Sequence, residues 1–276
     1  MAQPPLSVSI RKLEEELHLK LFDRHPRGAV LTPAGELAWR LAQEIDDRAK
    51  ALRTLAEDLG EGHRGQLSVA FVTSATFSLV PLVVPAFRRR FPTVELRLKE
   101  ATTHDVLEGL RKGELDIGLI RTPIYDGEGV TLTPLSRETL MLAVSPGHPL
   151  AGSSSVRLED LADEPFILFD RASNLRVYIV VCCEAAGFLP RVAEEVTHVH
   201  TMIALVESGM GVGLLASNGP HGRLDTVRFI PVTLAGKAIA TGLALAARAE
   251  ENNVLAHNFA SVAREFAGPE EPVSQA

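Results

Sequence analysis

Residues 3–36 read QPPLSVSIRKLEEELHLKLFDRHPRGAVLTPAGE. Leu6, Ile10, Leu13 and Leu17 recur at three- and four-residue steps, which puts them on one stripe of a helix. Pro4 and Pro5 suit its first turn, where a missing N–H costs nothing. Ser7, Arg11 and Glu14 fall on the other face. Then come Leu19, Leu21 and Phe22, the basic turn Arg24-His25-Pro26-Arg27-Gly28, and Val30-Leu31-Thr32. Two short apolar segments around a basic turn predict a two-stranded wing riding on a phosphate backbone. Periodicity alone fits an ordinary amphipathic helix followed by a basic loop equally well. The ordered string PPLS-x-x-I-x-x-LEEEL-x-x-x-LF-x-R-x-x-RG-x-x-LTPAGE is the more specific signal.

The chain of 276 residues exceeds one average domain, and a hydrophobic content of 46% is ample for real cores. Its two cysteines, Cys182 and Cys183, are adjacent, so no disulfide framework exists and a reducing compartment is expected. The apolar runs Leu79–Phe87 and Ala238–Ala247 fall short of the roughly 20 residues a membrane span needs. Met1-Ala2-Gln3-Pro4 shows no signal-peptide pattern, and the expectation is a cytoplasmic protein with no membrane partner. A net charge of −7 argues against wholesale wrapping by nucleic acid. It leaves room for a small basic patch of Arg11, Lys12, Lys20, Arg24 and Arg27, diluted by Glu14, Glu15 and Glu16.

The opening string resembles the recognition helix and wing of the LysR-type transcriptional regulators, and the resemblance runs on through the chain. It implies that Gln3, Pro4 and Ser7 contact base edges or phosphates and that Arg27 enters the minor groove, with Arg11 and Arg24 joining from the basic patch. Val8 departs from the polar residue often found at its position. His18 stands where a glycine usually ends the helix, which makes a left-handed turn less comfortable. The family carries two further helices upstream, so a head lacking its front is expected here.

Thr32-Pro33 predicts a helix start, with a hydroxyl cap and proline at the first position. Ala38, Leu41, Ile45, Arg48, Leu52, Leu55 and Leu59 then alternate by three and four, a heptad seam interrupted at Arg48. The resemblance makes this the linker helix of a homodimer or homotetramer; a packed intramolecular helix with Arg48 snorkelling is the alternative. Gly60–Gly65 reads as a hinge.

From Gln66 onward strands and helices alternate. Strands are expected at Leu67–Val72, Val94–Lys99, Leu115–Ile120, Thr139–Val144, Phe166–Phe169, Val192–Val196, Val212–Leu215 and Thr241–Ala246. Helices are expected at Phe77–Phe91, His104–Lys112, Tyr178–Ala186, His200–Glu207 and Val254–Phe266. That order implies parallel sheet with helices on both faces. The expected fold class is α/β: a partial winged helix-turn-helix (1–32), a linker helix (33–60) and a two-lobed effector domain (65–267). Lobe I takes 65–137 and 241–267, lobe II takes 138–240, and 268–276 forms a disordered tail. The lobes resemble type 2 periplasmic solute-binding proteins.

Ligands bind beyond the carboxyl ends of strands in such sheets, which points to Ser74, Thr103 and Arg121. Ser74 and Thr103 are expected at helix N-termini, where free N–H groups favour an anion, and Arg121 offers a planar fork for a carboxylate. A small organic acid is the expected effector. The segment resembles regulators of aromatic-compound catabolism, which implies Ser74, Thr103 and Arg121 in the cleft, faced by Ser173, Asn174 and Leu175 across it. Gly209-Met210-Gly211-Val212-Gly213 follows a helix and precedes a strand, the reverse of a dinucleotide loop, so a helix-ending turn is expected. His198 and His200 lack further ligands for a metal and are expected to line the cleft or cap the next helix. Cys182 and Cys183 are expected as buried thiols, and Asp116 as a structural residue at a strand start. No catalytic residue, cofactor or metal is expected. The commitment is to a DNA-binding regulator acting on an operator; a solute-binding protein without DNA-binding activity is the alternative.

Overall fold

The computed structural model describes residues 4–26, 28–218, 226–250 and 252–268, with the side chains of Pro4 and Pro5 outside that description. Gln3, Arg27 and the expected tail after Gly268 therefore lie outside the described residues. The chain divides into two compact units, residues 1–61 and 62–276.

In the first unit, α1 spans Pro4–Leu17. It ends at His18, whose φ of +51° takes the left-handed turn that glycine would otherwise supply. The Leu19 N–H closes that turn on the Glu14 carbonyl at 3.1 Å. Strands β1 (Phe22–His25) and β2 (Gly28–Leu31) pair antiparallel with His25 opposite Gly28, forming the expected wing. Helix α2 runs Pro33–Gly60. Thr32 caps it: its hydroxyl accepts from the Gly35 N–H at 2.9 Å and donates to the Lys20 carbonyl at 2.7 Å. Gly35 is required by close approach, because a Cβ there would lie 2.0 Å from the Leu21 carbonyl oxygen. Leu6, Leu13 and Leu17 on α1 stay exposed, and so do Leu41, Ile45, Leu52 and Leu59 along the α2 seam. Within this unit, then, these seam residues pack against nothing.

The second unit begins with β3 (Gly65–Phe71), α3 (Val80–Arg90), β4 (Val94–Glu100), α4 (Thr103–Lys112), β5 (Ile117–Thr122) and β6 (Val130–Val144). It continues through β7 (Val156–Arg157), β8 (Pro165–Phe169), α5 (Asn174–Ala185), β9 (Arg191–Val196), α6 (Val199–Glu207) and β10 (Val212–Ala216). Last come β11 (Arg228–Leu234), β12 (Lys237–Ala238), β13 (Ala240–Arg248) and α7 (Val254–Arg264). The strand order is β4-β3-β5-β13-β6-β10-β8-β9, with β11 on β6. Strands β3, β4 and β5 run parallel, as do β8, β9 and β10, whereas β13 and β6 are antiparallel to their neighbours. The sheet is thus mixed rather than wholly parallel.

One core gathers residues from Leu140 to Ile239, including Phe166, Ile179 and Leu214. Two others gather Leu67–Leu135 together with residues 243–263, on the two faces of the first sheet. Strands β6 and β13 pass from one set of cores to the other side by side, paired from Ala240 with Thr139 to Arg248 with Val130.

Several expected elements are corrected. The expected helix at Phe77–Phe91 is a 3-10 turn, Thr73–Phe77, followed by α3 from Val80, with Pro81 in its first turn. The expected strand Thr139–Val144 is only the second half of β6. Its first half is masked in sequence by Pro134, tolerated here because the pairing steps from Ser136 to Pro134 and bulges out Leu135. Helix α5 begins at Asn174 rather than Tyr178, so Ser173-Asn174-Leu175 forms its cap and first turn. Strand β11 was not expected at all. Asp116 has the structural role expected of it: Oδ2 accepts from the Ser68 N–H at 2.8 Å and Oδ1 from Asn253 Nδ2 at 3.0 Å.

Candidate functional site

The parallel strands of both lobes end at one cleft. Beyond β3 lie Thr73 and Ser74, beyond β4 Ala101 and Thr102, beyond β8 Asp170, and beyond β9 Thr197; Arg121 comes from the end of β5 and Ala216 from the end of β10. These residues line a cavity of about 510 Å³, the size of a small-molecule site. The N-termini of α4, α5 and α6 reach the same cavity through Thr103, Ser173 and Val199. Unsatisfied N–H groups and helix dipoles at all of these ends favour an anion.

All the cleft residues expected from sequence line this cavity: Ser74, Thr103, Arg121, Ser173, Asn174 and Leu175. Their roles differ from expectation. Ser74 sits in the 3-10 turn rather than at an α-helix N-terminus. Thr103 is the first residue of α4, and the cap is Thr102, whose hydroxyl accepts from the Asp105 N–H at 3.1 Å. Thr103 is buried, and its hydroxyl accepts from the Arg121 N–H at 3.3 Å.

Arg121 is 4% exposed and does not present an open fork. Its Nη1 donates to Glu138 Oε2 at 2.9 Å and its Nε to Ser74 Oγ at 3.2 Å. Glu138, on the crossing strand β6, is itself buried and accepts a second bond from Ser136 Oγ at 2.9 Å. A guanidinium already neutralised in this way keeps Nη2 and the second Nη1 hydrogen for a ligand. Ser173 caps α5 by accepting from the Arg176 N–H at 3.4 Å. Asn174 Nδ2 donates to the Arg121 and Pro123 carbonyls at 3.0 and 2.8 Å, which ties α5 of one lobe to the end of β5 in the other.

Sequence reading missed the apolar body of the cleft, made by Phe77, Phe169 and Leu215, and its acidic members Glu100, Asp105 and Asp170. Asp170 had a signal, since it follows the strand expected to end at Phe169. Phe77 gave none: it reaches across to the second lobe, with its ring centroid 6.0 Å from that of His200. His198 lines the cavity at the N-cap position of α6, without a side-chain cap bond, whereas His200, expected to line the cleft or cap that helix too, lies inside α6 and outside the lining. Among the described residues no group of His, Cys, Asp and Glu is arranged to hold a metal. Cys182 and Cys183 are buried in α5, and burial pushes the Cys183 thiol up to about 12.

On the first unit, Ser7 and Arg11 are exposed one turn apart on α1. Arg24 on β1 lies 3.7 Å from Glu14. Glu14 is more than a diluting charge. Its Oε1 accepts from the Leu21 and Phe22 N–H groups at 2.8 and 3.0 Å, and these bonds, with Arg24 and Lys20 nearby, hold its carboxyl below the ordinary value of 4.5. It thereby fixes the helix to the wing.

Residues 60–268 match the family model described as the LysR substrate binding domain, and residues 1–36 match the bacterial regulatory helix-turn-helix protein, lysR family. The chain belongs to the LysR family. It is a DNA-binding transcriptional regulator with an effector-binding domain, and the helix-turn-helix match sets aside the alternative of a solute-binding protein without a DNA head. Among its relatives is the HTH-type transcriptional regulator AlsR of Bacillus subtilis (strain 168), 33% identical over 220 residues, 79% of this chain and 72% of that protein. Among solved structures, the LysR family transcriptional regulator CbnR superposes with a TM-score of 0.74 at 25% identity, covering 96% of this chain and 91% of that one. Full-length BenM gives 0.66 at 27% identity, covering 96% and 88%. No helix among the described residues of this LysR-family chain is long and apolar enough to cross a membrane.

Proposed function

We propose that this regulator senses a small organic acid held between its two lobes, of the kind met by regulators of aromatic-compound catabolism. One observation carries the reading: the carboxyl ends of the parallel strands and the N-termini of α4, α5 and α6 meet at a single cavity. The acid's carboxylate accepts from Ser74, from the helix N–H groups near Thr103 and Ser173, and from Arg121 Nη2, while Leu175 and Asn174 bound the far side. In this reading the chain comprises a head (1–32), a linker helix (33–60) and a sensor (65–267) whose lobes meet at residues 137–138 and 240–241. Binding draws the lobes together and shifts the population between two arrangements of a homodimer or homotetramer built on the α2 seam. No bond is made or broken. The protein acts in the cytoplasm and takes no cofactor.

On the DNA side, Gln3, Pro4, Ser7 and Arg11 face the major groove and Arg27 the minor groove, with Arg24 on the backbone. A thermal-shift screen of aromatic and dicarboxylic acids, comparing the intact chain with Ser74→Ala, tests the sensor. Stabilisation that shrinks in the variant supports the site, and a shift of equal size in both places the ligand elsewhere.

A further inference from the structure

The charge around the cleft does not match a simple acid. Arg121 is the one Lys or Arg side chain lining the cavity among the described residues, and Glu138 already neutralises it. Against it stand the carboxylates of Glu100, Asp105 and Asp170. None of these has an ion-pair partner among the described residues. Glu100 accepts only from the Thr73 hydroxyl, Asp105 from the Thr102 hydroxyl at 2.8 Å, and Asp170 from the Ala172 N–H at 3.0 Å. The cations nearest to Asp170 in sequence, Arg171 and Arg176, turn to Glu195, at 4.0 and 2.7 Å. An effector carrying only negative charge thus meets a donor-rich end, but also carboxylates that have no ion-pair partner among the described residues and that repel it. Those carboxylates match a cation on the same ligand.

Resting on the organic-acid reading above, we propose that the effector is a zwitterion, an amino acid or close analogue. Its carboxylate lies at Ser74, Thr103 and Arg121 Nη2, its ammonium group faces Asp170, Glu100 and Asp105, and its side chain lies on Phe77, Phe169 and Leu215. Asp170 carries the most weight because it is less exposed than Glu100 and Asp105, so its charge is screened least by water. Its backbone is already fixed, with its N–H on the Val196 carbonyl at 2.8 Å and its carbonyl accepting from the Ser173 N–H at 3.1 Å. The carboxylate therefore needs little ordering to meet a ligand.

The test is a calorimetric and thermal-shift comparison on the intact chain. The probes are aliphatic and aromatic L-amino acids, the carboxylic acids of the same side chains without the amino group, and the matching amines without the carboxylate. The expected result is that at least one amino acid binds about tenfold or more tightly than either of its two halves. Asp170→Asn keeps the acceptor for the Ala172 N–H but removes the charge. It is expected to shrink the amino acid's advantage over its deamino acid, by weakening the amino acid and, with one repelling charge gone, tightening the deamino acid. A carboxylic acid that binds as well as its amino acid overturns the zwitterion and leaves the organic-acid site standing. Binding of amines alone, or of none of the probes, overturns both. An amino acid that binds Asp170→Asn and the parent chain equally overturns the placement of the ammonium group.

Discussion

Arg121 Nη1 lies 2.9 Å from Glu138 Oε2, with both side chains at most 5% exposed. The pair joins the end of β5 to the strand that crosses between lobes, so one charge cannot be removed without stranding the other. Arg121→Ala is therefore expected to destabilise the sensor by about 3–5 kcal/mol, because the buried Glu138 carboxylate loses the guanidinium paired with it. The double change Arg121→Met with Glu138→Leu is expected to recover much of that loss. Urea denaturation of the single and double variants measures both, and a double variant no better than the single one contradicts this account.

Asn174 is expected to act through the lobe junction more than through ligand contact. Asn174→Ala removes both bonds to the Arg121 and Pro123 carbonyls and costs about 1–2 kcal/mol. Hydrogen exchange is expected to quicken around the start of α5 and the end of β5 while the centre of β8 stays protected. Unchanged exchange at these ends would show that the lobes are held elsewhere.

Glu14 gives the DNA head a pH dependence with a definite sign. Its carboxyl titrates below its ordinary value of 4.5 because the Leu21 and Phe22 N–H groups bond its charged form. A depressed folded pKa means that its contribution is fully present above the unfolded value and lost as pH falls through the folded one. Exchange of the Leu21 and Phe22 amides, corrected for intrinsic rate, is expected to rise in that acid window. Glu14→Gln is expected to remove the dependence.

Gly35→Ala is expected to disturb the head rather than stiffen α2. A methyl group 2.0 Å from the Leu21 carbonyl forces the wing away from the helix start, at a cost of about 1–3 kcal/mol. The same substitution at Gly60, where a Cβ meets nothing within 4 Å, serves as the control. Comparing the two by thermal denaturation and by DNA affinity isolates the clash from the general gain in helix propensity.

Cys182 and Cys183 are expected to resist a thiol reagent at pH 8 in the native chain and to react at once in urea, since burial raises both thiols. Rapid native labelling of either would mean that α5 opens readily.

Local chemistry carried the head. Thr32-Pro33 specifies its own helix start, prolines mark the first turn of α1, and a basic turn between apolar pairs specifies the wing; each of these is settled within a few residues. The strand-end rule likewise located Ser74, Thr103 and Arg121, since a parallel α/β order fixes where the ends of strands fall. The limits of this reading appear at β6, where Pro134 hides a strand whose partner lies over a hundred residues away, and at Phe77, which faces a different lobe from its own.

By itself, then, the sequence determined most of the elements, their order and several of the residues that line the cleft, because helix caps, periodicity and strand ends depend on neighbours along the chain. Only the tertiary structure decided what those positions have left to offer. It set Glu138 against Arg121, spent Asn174 on two carbonyls, and gathered Glu100, Asp105 and Asp170 around one cavity with no ion-pair partner among the described residues. Charge balance in a cleft depends on distances across lobes, and no pattern along one strand encodes them.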